Sequence, residues 1–100
     1  MRRILLKKAE IGGMDTDVRT REQEIASITA DQARLRENMK ALKGTAEEKA
    51  LVQRYTRQLD SQEDRLATLR NEIDQIHQKR ALAGNELDHM IMDVTFEQGF

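Results

Sequence analysis

The side chains that could bind a metal or transfer a proton are scattered along this sequence. Its two histidines, His77 and His89, fall at different helical phases, and no HExxH motif or i,i+4 histidine pair brings two imidazole groups onto one Zn²⁺. The carboxylates lie on charged, solvated surfaces without the inward Glu-x-x-His elements of di-iron bundles, and cysteine is absent. We therefore expect no catalytic residue, no metal site and no cofactor, and we do not expect an enzyme.

A second group of side chains could bind an anion. Between residues 34 and 57 seven basic residues outnumber three acidic ones, although the net charge of the whole chain is −1. The only aromatic residue among them, Tyr55, falls on an apolar series, so it offers no stacking platform for bases. We favour a solvated charged surface here, and keep an anion- or nucleic-acid-binding arm as the alternative. The basic residues are Arg34, Arg36, Lys40, Lys43, Lys49, Arg54 and Arg57.

The apolar residues form two heptad series on each side of Gly44-Thr45. A 3-4 spacing that persists this long places one narrow apolar stripe on each of two helices, and each stripe must face a partner helix. A composition with 35% charged residues, 3% aromatic residues and no proline suits such helices. We predict an all-α fold, a long antiparallel two-helix coiled-coil hairpin that can dimerise into a four-helix bundle. The stripes carry Ile4, Ile11, Val18, Ile25, Gln32, Met39, Met14, Ile28, Leu35 and Leu42 in the first half, and Val52, Leu59, Leu66, Ile73, Leu87, Val94, Tyr55, Gln62, Leu69, Ile76, Ala83 and Met90 in the second.

The residues around Gly44 mark the end of the first helix and the start of the second. Gly44 can adopt the left-handed conformation that ends helices, and Thr45 with Glu48 has the spacing of a capping box. We predict one hairpin over residues 1–100, with helix one at about 3–43, a turn at 44–45, helix two at about 46–92 and a frayed tail at 95–100. Residues 12–13, both glycine, are a weak point in helix one. A break and a fresh helix start there is the alternative, but the heptad series keeps its phase through them.

A single antiparallel register pairs the polar residues of the stripes. It sets Leu35 opposite Leu59 and Gln32 opposite Gln62, so the two amides can hydrogen-bond across the seam. A slip of one heptad would place both glutamines beside apolar or aromatic residues. Arg80 and Arg21 also fall on the stripes, and we expect their aliphatic stems to cover the seam while their guanidinium groups reach water. Contact with a further helix is the alternative.

The end of the hairpin that carries both termini is too apolar for a simple helix pair. Several large apolar residues there lie off the stripes, and a helix that is apolar around most of its circumference expects burial. We therefore expect this base to be an interface with another protein, either a second copy or the remainder of a larger protein, and we expect a homo-oligomer. Scattered exposed apolar residues at helix ends are the alternative. The candidate interface residues are Leu5, Leu6, Leu82, Ile91, Met92 and Phe96, with Phe100 beyond them.

The sequence carries no predicted membrane span or signal peptide. Ile4-Leu5-Leu6 follows two arginines, as in the start of a signal peptide, but Lys7-Lys8 ends the apolar run too early. No run approaches the roughly 20 apolar residues that a membrane-spanning helix needs. The pattern leaves the compartment of the protein open.

Two segments resemble a known family. Residues 31–39, DQARLRENM, and residues 53–66, QRYTRQLDSQEDRL, are similar to the C-terminal helical region of large uncharacterised bacterial proteins that carry a domain of unknown function and are described as mucoidy-inhibitor-like. The similarity covers roughly residues 14–96. It implies that the chain is a coiled-coil segment of a longer bacterial protein, and it implies no activity and no functional residues. We predict a non-enzymatic structural or protein-interaction segment.

Overall fold

The chain folds as an antiparallel hairpin of two long helices, as the heptad pattern predicted. The structure, a computed structural model, describes residues 1–97. Helix α1 spans Arg2–Lys40 and helix α2 spans Ala46–Glu97, and no strand occurs within the described residues. The all-α coiled-coil hairpin is therefore confirmed.

The turn between the helices is held by hydrogen bonds from backbone N–H groups that have no partner within either helix. Gly44 has a φ of 88°, in the left-handed region that favours glycine. The Thr45 N–H donates to Glu48 Oε1 and the Glu48 N–H donates to Thr45 Oγ1, each at 3.1 Å. The Lys43 N–H donates to the second carboxylate oxygen of Glu48 at 2.8 Å. The predicted capping box is thus confirmed, and it also satisfies a donor inside the turn.

Two predicted boundaries are wrong. Helix α1 ends at Lys40 rather than near residue 43, because the N–H groups of Ala41 and Leu42 bond carbonyls only three residues back and tighten the last turn. The turn accordingly covers residues 41–45. Helix α2 continues to Glu97, so residues 95–97 of the tail that was predicted to fray are helical. Residues 98–100 of that tail, including Phe100, lie outside the described residues.

Helix α1 passes through Gly12-Gly13 without a break. Neither glycine has a positive φ, and a Cβ added to either one meets no atom within 4 Å. The alternative of a fresh helix start at these residues is therefore wrong. Because nothing within the hairpin requires glycine at these positions, each one only weakens the helix, by about 1 kcal/mol relative to alanine.

The hairpin divides into two compact units, which we call the terminal unit (residues 1–20 and 72–100) and the tip unit (residues 21–71). Each has its own strip of buried side chains where its two helix segments face each other. In the tip unit Leu35 and Leu69 are only 0% and 1% exposed, which makes them the most buried large side chains of the described chain. The buried residues are Ile4, Ile11, Val18 and Ala83 in the terminal unit, and Gln32, Leu35, Leu66 and Leu69 in the tip unit.

Hydrogen bonds between the helices confirm the predicted register within each unit. Long polar side chains at the seam reach over to the partner helix, so the residues that they bond report which residues face them. For four of these side chains, Lys7, Arg80, Gln32 and Gln62, the bonded residue is the sequence neighbour of the residue that the register placed opposite. Arg65 is the exception, since it bonds Glu24, five residues from the Thr29 that the register placed opposite it. Lys7 bonds Glu86 beside Leu87, Arg80 bonds Asp15 beside Met14, and Gln32 bonds Glu63 beside Gln62. A slip of one heptad would separate these pairs.

Candidate functional site

The two seam glutamines of the tip unit bond carboxylates rather than each other. Gln32, which is buried, donates from Nε2 to Glu63 Oε1 at 2.9 Å, and Gln62 donates from Nε2 to Asp31 Oδ2 at 2.6 Å. Gln62 Oε1 is buried without a partner, so the predicted amide–amide bond is wrong at this atom. The physical reason is that an ionised carboxylate is a stronger acceptor than an amide carbonyl. The seam pairing is therefore a ladder of amide–carboxylate bonds.

Carboxylates of the tip unit are stabilised in their ionised form. The side-chain hydrogen bond from Arg65 to Glu24, at 2.6 Å, lowers the pKa of that carboxyl group. Arg34 and then Gln62 lower the pKa of Asp31 by hydrogen bonding. The backbone N–H groups of Lys43 and Thr45 do the same for the pKa of Glu48. These shifts follow from hydrogen bonds that favour the charged form and do not indicate a proton-transfer site.

The terminal unit carries the corresponding pairs at its own seam. Lys7 is bonded at 2.8 Å to both Glu10 and Glu86, which raises the pKa of its ammonium group, and its side chain is only 16% exposed. Arg80 leaves the seam to bond Asp15 at 2.7 Å, which lowers the pKa of Asp15. The guanidinium group of Arg80 is partly exposed, as expected for a side chain whose stem covers the seam. Lys7 is the more buried cation of the two.

All six residues proposed for the base interface lie exposed on the terminal unit. Their side chains point away from the seam, as their positions in the heptad predicted. Leu6 and Leu82 are 62% and 63% exposed, and Phe96 is 87% exposed. Among the described residues, every exposed large apolar side chain belongs to the terminal unit, and the tip unit has none. The exposed set is Met1, Leu5, Leu6, Leu82, Ile91, Met92 and Phe96.

The terminal unit also separates its charges by helix, a feature not predicted from the sequence. Residues 1–9 of α1 carry four basic and no acidic side chains, and residues 81–97 of α2 carry four acidic and no basic ones. Arg3 lines the same shallow groove as Glu86 and Asp93, so the two charged strips lie at the same height along the helices. The sequence contains these charges as one short basic run and one short acidic run. Only the register of the hairpin shows that the two runs lie beside each other. The strips are Arg2, Arg3, Lys7 and Lys8 on α1, and Glu86, Asp88, Asp93 and Glu97 on α2.

The predicted basic tip is partly neutralised by the chain itself. Arg34 pairs with Asp31 at 2.9 Å and Lys40 pairs with Glu37 at 3.4 Å. Tyr55 is half-buried, as its place on the apolar stripe predicted. Of the seven basic residues predicted for the tip, those that form no ion pair within residues 1–97 are Arg36, Lys43, Lys49, Arg54 and Arg57.

Neither a metal cluster nor a membrane span occurs in the described part of the chain. No group of three or more His, Cys, Asp or Glu residues between residues 1 and 97 is arranged to hold a metal ion. Neither α1 nor α2, as far as it is described, is long and apolar enough to cross a membrane. His89 bonds the carbonyl of Asn85 in its own helix at 2.7 Å.

Comparison with known proteins identifies no relative. No family model, no curated protein and no solved structure matches the chain significantly. The resemblance of residues 31–39 and 53–66 to the helical region of mucoidy-inhibitor-like bacterial proteins therefore stays a prediction.

Proposed function

We propose that this chain is a non-enzymatic protein-interaction segment, a helical hairpin that docks through its terminal unit onto helices of a protein partner. The observation that carries the proposal is that every exposed large apolar side chain among residues 1–97 lies in that unit. In line with the resemblance above, we propose that the hairpin serves as part of a larger bacterial protein.

The distribution of exposed apolar surface supports docking better than chance exposure at helix ends. Single exposed apolar residues are ordinary on a soluble protein, whereas a cluster rimmed by charges marks an interaction surface. A leucine as exposed as Leu6 or Leu82 gains about 1–2 kcal/mol when a partner covers it. Six exposed apolar side chains on the same unit therefore offset part of the entropy cost of association.

Site-specific photo-crosslinking in bacterial cells that express the chain tests this function. Benzoylphenylalanine at Leu6 or Leu82 should form a crosslink to a protein, whose peptide is then identified by mass spectrometry. Matched positions in the tip unit are Ala26 and Ala67, which are also exposed on the two helices. Crosslinks at the terminal unit and none at the tip unit support the proposal. Equal yields at all four positions, or none at any, would refute it.

The alternative function is an anion- or nucleic-acid-binding arm that uses the tip. It is favoured by one observation: Arg54 and Arg57 line the same shallow surface of α2, and neither has an ion-pair partner in the described chain. Glu47 lines that surface too and reduces its positive charge. Binding of RNA or DNA that weakens steeply with salt, and that is lost in an Arg36→Glu, Arg54→Glu, Arg57→Glu variant, would establish this function. Absence of binding at low salt would dismiss it.

A further inference from the structure

We propose that the partner at the terminal unit is a second copy of this chain, related by a two-fold axis parallel to the helices. In this dimer α1 of each copy lies antiparallel beside α2 of the other, and the two hairpins form a four-helix bundle at their terminal units. The inference rests on the proposed docking function and names its partner.

The charges of the terminal unit are self-complementary in this arrangement. Rotation about an axis parallel to the helices leaves each residue's position along that axis unchanged. The basic strip of α1 therefore lies beside the acidic strip of α2 of the partner. Arg3 and Asp93, which line one groove within a hairpin, are then also at matching heights between hairpins. The opposite arrangement, with α1 on α1 and α2 on α2, would bring Arg2, Arg3 and Lys8 level with the same residues of the other copy, and Asp88, Asp93 and Glu97 likewise. Lys7 and Glu86 take no part, because they bond each other within one hairpin. Like charges in contact oppose association, so charge selects the first arrangement.

The charges at the helix ends point to the same arrangement. The first turn of α1 has no acidic residue and the last turn of α2 has no basic one. Arg2 and Arg3 therefore lie at the positive end of one helix dipole, and Asp93 and Glu97 lie near the negative end of the other. At both helix ends the side chains carry charge of the same sign as the dipole, which is unfavourable. An antiparallel neighbouring helix, whose adjacent end carries the opposite charge, offsets this repulsion. A hairpin supplies one such neighbour to each helix, and the dimer supplies a second.

The outward surface of α1 is suited to a helix neighbour as well. Between residues 5 and 16 the heptad positions that face away from α2 carry no charge, and the one hydroxyl group there, that of Thr16, donates to the Gly12 carbonyl at 3.0 Å. A surface without charges or unpaired polar groups can be buried at little cost. The exposed outward residues are Leu5, Leu6, Ala9, Gly12, Gly13 and Thr16.

An anionic membrane surface is a weaker match to this unit. The basic strip and the leucines of α1 would suit it, but the acidic strip of α2 at the same height would be repelled. A second copy satisfies both strips at once, which is why we favour it.

Sedimentation equilibrium of the purified chain gives the first test. The wild type should sediment as a dimer of the 11.6 kDa chain, and a variant with Leu5→Gln, Leu6→Gln and Ile91→Gln should sediment as a monomer. The control variant Ala26→Gln, Ala30→Gln, Ala67→Gln adds the same amides to exposed positions of the tip unit and should stay dimeric. A wild type that is monomeric up to about 1 mM would overturn the proposal. An unchanged mass for the base variant would do the same, as would a monomeric chain that binds vesicles of anionic phospholipid.

A charge-swap variant tests the arrangement of the helices. It combines Arg2→Glu, Arg3→Glu and Lys8→Glu with Asp88→Lys, Asp93→Lys and Glu97→Lys. The net charge is unchanged, and each helix end now bears the charge that its dipole favours. Circular dichroism should show retained helix, and the variant should dimerise with itself. Mixed with isotope-labelled wild type, it should form mixed dimers at about a tenth of the population or less, against a statistical half, because each swapped residue of one copy then faces a like charge on the other. Free mixing, or a preference for mixed dimers, would overturn the proposed arrangement.

The two proposals fail in different ways. If the purified chain is a monomer but base crosslinks identify a different protein, docking stands and the second copy is refuted. If the base forms no crosslinks in cells, the docking function itself is refuted.

Discussion

Replacing the three helical glycines of the terminal unit with alanine should stabilise the hairpin. Gly12, Gly13 and Gly84 all lie inside helices, have no positive φ, and leave open space where a Cβ would stand. Alanine therefore brings its helix propensity without a clash. Each substitution should add about 0.8–1 kcal/mol to the free energy of unfolding, so the triple variant should gain roughly 2–3 kcal/mol.

The expected gain is large enough to measure in a thermal melt. For a domain of this size each kcal/mol shifts the midpoint by about 4–8 °C, so the triple variant should melt roughly 10–20 °C above the wild type. Circular dichroism at 222 nm measures the midpoint at one matched protein concentration, since self-association would itself raise it. Amide hydrogen exchange should slow in residues 1–20 and 72–97, because all three glycines belong to the terminal unit.

Gly44 provides the control within the same chain. Its φ of 88° is strained for any residue with a side chain, so Gly44→Ala should cost roughly 1 kcal/mol although the same Cβ also meets open space. Opposite signs for the two kinds of Gly→Ala change would show that backbone conformation, and not packing, decides them. A triple variant that melts at or below the wild-type midpoint would refute the reasoning.

Three further outcomes follow from single contacts. Leu35 has no exposed surface, so Leu35→Ala should lower the free energy of unfolding by about 2–5 kcal/mol in urea titration. Leu6 is exposed, so Leu6→Ala should change the free energy of unfolding of the monomer by less than about 1 kcal/mol. Equal effects of the two substitutions would contradict the assigned core. Because hydrogen bonds hold the pKa of Glu48 below its ordinary value, its contribution is present above that value and is lost as pH falls through the lowered pKa. Stability of the wild type should therefore decline in acid more than that of Glu48→Gln, and parallel pH profiles of melting temperature would rule out this role for the cap. Gln62→Leu should cost less than about 1 kcal/mol or stabilise the hairpin, since it removes the unpaired buried oxygen together with one hydrogen bond; a loss above about 2 kcal/mol by urea titration would show that the bond to Asp31 dominates.

The heptad spacing was sufficient to predict the hairpin because a narrow apolar stripe on a long helix has few ways to leave water. The register was predictable as well, since polar seam residues are costly unless they coincide. The partners of those seam residues were not predictable. Gln32 and Gln62 lie opposite each other, but each donates to the carboxylate next to the other glutamine in the sequence. Side-chain rotamers and the reach of the carboxylates decide these partners, and sequence spacing does not.

The helix ends also divide into one that the sequence predicted correctly and others that it did not. Thr45 and Glu48 identified the start of α2 because a capping box is a local motif that its own side chains complete. The end of α1 at Lys40 depends on which carbonyls the following N–H groups reach, so the local pattern placed it three residues too late. Fraying at residues 95–97 was wrong because the pattern contains no signal for continued helix beyond the last seam residue.

By itself, the sequence determined the helices, their antiparallel pairing and the set of apolar residues left off the seam, because these follow from periodicity and from short-range capping. Only the tertiary structure decided that the exposed large apolar residues of the described chain all belong to one unit, and that a basic strip on α1 lies level with an acidic strip on α2. The physical reason is that charge and exposure act between residues far apart in the chain, and the distances between such residues exist only once the two helices are folded against each other.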